Sequence, residues 1–186
     1  LFRLMFGAGL IKLRGDACWT DLTCLAYHYE TQPIPNPLSP LFHFAPMIFH
    51  KASVLVNHFV EILCPFLLLF SFRIRTFAGI CFLAFQFCIM LTGNYAWINH
   101  LAILMIIPCF DDRSLKFLFP KNFQKKIRGT GKFNLSQKIL TFLLLALVLF
   151  KSYKPLINLI GPRQVMNTSY DQFHLVNSYG VFGSIG

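Results

Sequence analysis

The sequence predicts an all-α membrane protein, a polytopic bundle of about four to five transmembrane helices with a luminal loop and the start of a luminal C-terminal domain. Three features lead there. The chain of 186 residues is 55% hydrophobic, with a mean hydropathy of +0.57. A soluble domain of this size needs less apolar surface. Four apolar stretches can be drawn, at residues 53–72, 77–92, 95–110 and 135–160. The basic residues crowd into two connections, residues 73–75 and 111–138, which fall on one side when the passes are counted. The net charge of +10 therefore points to the positive-inside bias rather than to nucleic acid, for which no finger or RNP signature is present.

Each segment has its own reason. Residues 1–13 look like the end of a truncated membrane helix, with Gly7 and Gly9 small enough for close packing and Lys12 and Arg14 marking the exit from the bilayer. The chain starts without Met inside this stretch, so it is expected to be a piece of a longer protein. Residues 14–52 form a loop rich in Pro, aromatics and His, suited to the headgroup region. Residues 53–72 are long enough to span, and Pro65 should kink that helix. Residues 77–92 and 95–110 make shorter spans joined by a tight Gly93-Asn94 turn. Residues 111–138 are a basic loop facing the cytosol. Residues 135–160 form a last span whose far end, with Lys151, Lys154 and Pro155, is snorkelled or broken. Residues 161–186 begin an extramembrane domain, where Phe173, Leu175 and Val176 could start a strand.

This orientation places residues 14–52 and 161–186 in the lumen. Cys18 and Cys24 then lie in an oxidising space, either bridged or as a redox-active pair; the absence of a CxxC spacing favours the bridge. Asn167 heads a luminal Asn-Thr-Ser sequon that could carry a glycan, whereas the Asn134 sequon falls on the basic side and is expected to stay bare. Asn57, His58 and Glu61 share one face of a membrane helix. An ionisable group there must face protein or water. Tyr27, His28, Tyr29 and Glu30, with His43 and His50, read as polar loop anchors rather than a metal or acid–base site. Asp111-Asp112 reads as a cap or a partner for Lys116. No catalytic residue, metal or cofactor is expected, because HExxH, paired CxxC and GxSxG patterns are all missing.

Several long and unusual blocks carry a resemblance. They include the run from Phe6 to Asp16, Cys18-Trp19-Thr20-Asp21-Leu22-Thr23-Cys24, and Tyr27-His28-Tyr29-Glu30-Thr31-Gln32-Pro33 with Pro35-Asn36-Pro37. Others are Asn57-His58-Phe59-Val60-Glu61, Leu91-Thr92-Gly93-Asn94, Cys109-Phe110-Asp111-Asp112, and the run from Leu175 to Gly183. Together these blocks closely resemble the lipase maturation factor family. The resemblance implies a non-enzymatic, multi-pass protein of the endoplasmic reticulum membrane. Such a factor assists folding, dimer assembly and export of secreted lipases. It also implies a large luminal region after Gly183, mostly beyond this chain, that engages the client lipases. Other luminal folding or redox factors are expected partners beside the lipid bilayer. The alternative is a membrane-embedded enzyme or transporter using the His58/Glu61 face, although no internal repeat of the transporter kind is visible.

Overall fold

The computed structural model describes residues 1–32, 35–93, 95, 97–111, 115, 120, 134–162, 165 and 167–178. Much of the basic loop 111–138, including Asp112 and Lys116, lies outside the described residues, as do Pro33, Asn94 and the 179–186 end. The chain divides into two compact units, residues 1–116 with 181–186 and residues 117–180.

In the first unit, α1 (Phe2–Arg14) leads into a short 3-10 turn (Ala17–Trp19), α2 (Cys24–Thr31) and α3 (Ser39–His43). Then α4 (Met47–His58) passes through a π-turn (Phe59–Leu63) into α5 (Cys64–Leu67). α6 (Phe72–Thr92) and α7 (Ile98–Ile106), the latter extended by a 3-10 turn (Ile107–Cys109), complete the unit. Met47–Leu67 and Phe72–Thr92 are each 21 residues long and predominantly apolar. At 1.5 Å per residue each is about 30 Å long, the thickness of a bilayer core. Only 33% and 22% of their apolar windows are buried. The remaining surface, with Leu55, Leu63, Phe77 and Phe87 exposed, is apolar enough to face lipid.

Three boundaries differ from the sequence expectation; the span drawn at residues 95–110 is α7 with its 3-10 turn, Ile98–Cys109, shorter than the two long helices. The first long helix begins at Met47 rather than residue 53, because His50 is buried against Tyr29 and so does not mark a polar boundary. Arg73 and Arg75 lie in the first turn of α6 rather than in a connection, since the helix is already under way at Phe72 and the Arg75 N–H donates to the Ser71 carbonyl. One turn upstream of Pro65 the helix widens into a π-turn. The widened turn Phe59–Leu63, closed by the Cys64 N–H on the Phe59 carbonyl, absorbs the missing donor.

The core joins α1, the π-turn, α6 and α7 through Met5, Val60, Cys64, Ala78, Phe82, Ile106 and Cys109. Close approach requires glycine twice. A Cβ at Gly9 would stand 2.7 Å from Ile62 Cγ1 and 3.0 Å from Glu61 Cβ, and one at Gly79 would stand 2.9 Å from Cys109 Cβ. Gly7 meets nothing within 4 Å, so of the two glycines singled out in α1 only Gly9 is a packing residue.

In the second unit, α8 (Leu135–Ile160) starts at a capping box in which the Asn134 N–H donates to Gln137 Oε1 at 3.0 Å. The helix runs unbroken through Pro155. Lys151 and Lys154 do not end it; they reach Asp171 Oδ2 (3.8 Å) and the Tyr170 carbonyl (3.4 Å). Strand β1 (Thr168–Ser169) pairs antiparallel with β2 (Asn177–Ser178). The strand therefore falls after Phe173, Leu175 and Val176, whose N–H groups all donate to the Asp171 carboxylate instead of to a ladder.

Candidate functional site

The last turn of α1 points a cation into the bundle. Met5, Gly9 and Lys12 repeat at intervals of four and three, so all three lie on the buried stripe of α1. Lys12 is only 8% exposed. Its ammonium donates to Glu61 Oε1 at 2.7 Å and to Asn57 Oδ1 at 2.8 Å. Asn57 Nδ2 in turn donates to Glu61 Oε2 at 3.1 Å. Lys12, Asn57 and Glu61 thus form a closed ring across two helices. The indole of Trp19 covers the ammonium at 4.9 Å, a cation–π contact. Both carboxylate oxygens and both amide groups are engaged.

The cover over this ring is held from two directions. His58 Nε2 donates to the Trp19 carbonyl at 3.0 Å. Cys18 and Cys24 are disulfide-bonded, with Cα atoms 4.7 Å apart, and close the loop in which Trp19 sits. Trp19, Cys24 and Val54 form a buried cluster with Cys18, Leu22 and Leu25 against it. Leu22 takes a left-handed φ of 60°, a strained conformation for a bulky residue that the closed loop imposes.

The Pro-rich segment has a distinct task. The last carbonyls of α6 have no partner within their own helix. Asn36 Nδ2 donates to Met90 O at 3.0 Å, Ser39 Oγ to Thr92 O at 2.7 Å, and Gln32 Nε2 to Thr92 O at 3.2 Å. Three side chains distant in sequence thus complete the end of a membrane helix.

The sequence-predicted residues divide accordingly. Asn57 and Glu61 meet in the ring, while His58 turns to Trp19 on the same side. His43 Nε2 lies 3.0 Å from Glu30 Oε1, beside a shallow cavity of about 230 Å³ lined by Tyr29, Pro40 and Phe44. His50 Nε2 donates to the His43 carbonyl at 3.3 Å. Among the described residues, no group of three or more His, Cys, Asp or Glu could hold a metal. His28 stacks on Tyr95 with rings 9° apart, and its Nε2 is hydrogen-bonded to the Tyr95 hydroxyl. Burial, and then the Lys12 charge, push the His28 imidazole down to about 4. Asn167 is exposed, with a φ of 53° that asparagine tolerates.

Lys12 corrects the sequence expectation: it is a buried ion-pair partner, not a snorkelling exit marker. The signal was available in the Met5–Gly9–Lys12 spacing. The roles of Gln32, Asn36 and Ser39 had no local signal, because their acceptors lie more than fifty residues away.

Residues 1–117 match the lipase maturation factor transmembrane domain. The chain belongs to the lipase maturation factor family. It is 42% identical to lipase maturation factor 1 of Mus musculus and 41% identical to that of Homo sapiens, with 100% of this chain and 35% of each relative covered. It is 40% identical to lipase maturation factor 2 of Xenopus tropicalis over 73% of this chain and 20% of that protein. The chain thus spans about a third of the length of the factor 1 relatives. No solved structure matches it. The family match contains the whole ring, its disulfide-closed cover and the α6 cap.

Two outcomes follow for this lipase maturation factor domain. Lys12→Met leaves Glu61 buried without its cation and should cost about 3–5 kcal/mol, whereas Lys12→Met with Glu61→Leu should recover most of the loss. Unfolding in detergent micelles measures both. Acid should also weaken the His28–Tyr95 contact. The folded imidazole titrates near 4 and the unfolded one near 6.5, so its stabilisation is complete above pH 6.5 and fades as pH falls towards 4. Comparing unfolding midpoints at successive pH values for the parent and His28→Gln checks the sign.

Proposed function

We propose that this chain is the transmembrane portion of an endoplasmic reticulum factor that assists folding, dimer assembly and export of secreted lipases. The observation that carries this reading is the 42% identity to lipase maturation factor 1 along the whole chain. A maturation factor needs no reacting group. It binds exposed apolar surface on a client and holds it until assembly, which stabilises that state by mass action. The client-engaging surface belongs mainly to the luminal region beyond this chain.

The ring geometry supports a scaffold over an enzyme or transporter. Glu61 has both oxygens engaged, so a proton or substrate would have to break the ring to reach it. Glu61→Gln separates the readings: a scaffold residue loses stability, while a relay loses activity with folding intact.

The orientation follows from the basic residues. With the 111–138 loop in the cytosol, the disulfide loop and Asn167 face the lumen, where a bridge between Cys18 and Cys24 persists and the sequon meets the glycosylation machinery. Asn134 is engaged at the start of α8, where its side-chain oxygen accepts from Ser136 Oγ at 3.0 Å. Asn134 thus serves as a cap, and its place on the basic side leaves its sequon without sugar.

Expressing the full-length protein in cells lacking their own factor should restore secreted lipase activity per unit lipase mass. Unchanged low activity with normal mass secretion would count against the maturation role. Glycan mapping should find sugar on Asn167 and lose it in Asn167→Gln; sugar on Asn134 would reverse the orientation.

A further inference from the structure

The turn between α3 and α4 carries a concentrated exposed apolar surface. Leu41 is 72% exposed, Phe44 81% and Ile48 75%, with Leu38 and Met47 beside them. The opposite side of α3 is engaged with protein. Ser39 is buried on the Thr92 carbonyl, Phe42 packs at 6.1 Å from the Tyr29 ring, and His43 pairs with Glu30. α3 is thus amphipathic in place, with one side docked and the other bare.

Its depth is set by two independent helix ends. Phe44 lies three residues before Met47, where the first long apolar helix begins. Ser39 and Asn36 bond the carbonyls of Thr92 and Met90, where the next one ends. These helices run in opposite directions, so the start of one and the end of the other lie at the same face of the bilayer. The bare side of α3 is also continuous with the lipid-facing surface of the first span through Ile48 and Leu55. Lys51 is exposed one turn into α4, where an ammonium can reach headgroup phosphates.

We propose that α3 and the turn into α4 lie in the bilayer surface, with Leu41, Phe44 and Ile48 inserted at the boundary between headgroups and acyl chains. The occupant is lipid of the leaflet on the disulfide side, and the segment acts as an interfacial anchor that braces the ends of both spans. This inference rests on the reading of Met47–Leu67 and Phe72–Thr92 as membrane spans.

Tryptophan reporters in the full-length protein, reconstituted in phosphatidylcholine vesicles, test it. Leu41→Trp and Phe44→Trp are compared with Leu55→Trp within the span and Asp21→Trp on the disulfide loop, after subtracting the signal of the parent protein. The reporters at 41 and 44 should emit to the blue. They should be quenched about twofold more strongly by lipids brominated near the headgroup than by lipids brominated near the chain end, as an interfacial depth requires. The reporter at 55 should show the opposite preference, and the one at 21 should escape quenching. Met47→Trp gives the same reading should Phe44→Trp not reconstitute. Water-like, unquenched emission at 41 and 44 with a quenched 55 would overturn the anchor and leave the patch to a protein partner or a second copy. An unquenched 55 would overturn the spanning reading itself.

Discussion

The ion pair between Lys12 and Glu61 is the constraint around which the first unit is built. A charge in an apolar bundle is costly, and an unpaired one far more so. The surroundings can be understood as ways of meeting that cost. Asn57 satisfies the second carboxylate oxygen and takes one ammonium donor. Trp19 replaces water above the ammonium. Gly9 lets α1 touch the π-turn, without which the ammonium could not reach the carboxylate. In the observed register of α1 against α4 and the π-turn all three groups are paired.

The bundle meets a second demand at the opposite end of its polar scale. A helix that ends at a membrane surface exposes carbonyls, and α6 ends under a Pro-rich segment whose side chains satisfy them. Proline suits this segment because its own backbone has fewer donors to satisfy, while Asn36 and Ser39 supply the donors the helix lacks. Loop and span are thereby one packed unit, and the Pro-rich segment is as much a part of the membrane domain as the helices are.

Much of this was legible in the sequence. The apolar runs and the clustering of Lys and Arg gave the helical membrane class, and the block from Asn57 to Glu61 pointed to a polar face that the structure builds into the ring. Helix ends were harder. Polarity placed boundaries at residue 53 and at Arg73, yet the helix already runs through His50, which is buried against Tyr29, and an arginine can ride the first turn of a helix. Lys12 was misjudged for the same reason: cations near an apolar run usually mark its edge, although the Met5–Gly9–Lys12 spacing puts this one on the buried stripe and its partner lies 49 residues later. The strand at Asn177–Ser178 was displaced because Asp171 captures the N–H groups that a ladder would have used. Local pattern carries the elements; pairings across the chain carry the site.

The sequence separation within the ring bears on how the chain is made. Cys18 and Cys24 are six residues apart and share one short stretch of the growing polypeptide. Lys12 is made 49 residues before Glu61, so the cation exists before its counter-charge. The carbonyls of α6 come later still and meet side chains that have already been made. Synthesis thus supplies the disulfide loop first, the ion pair second and the cap of α6 last.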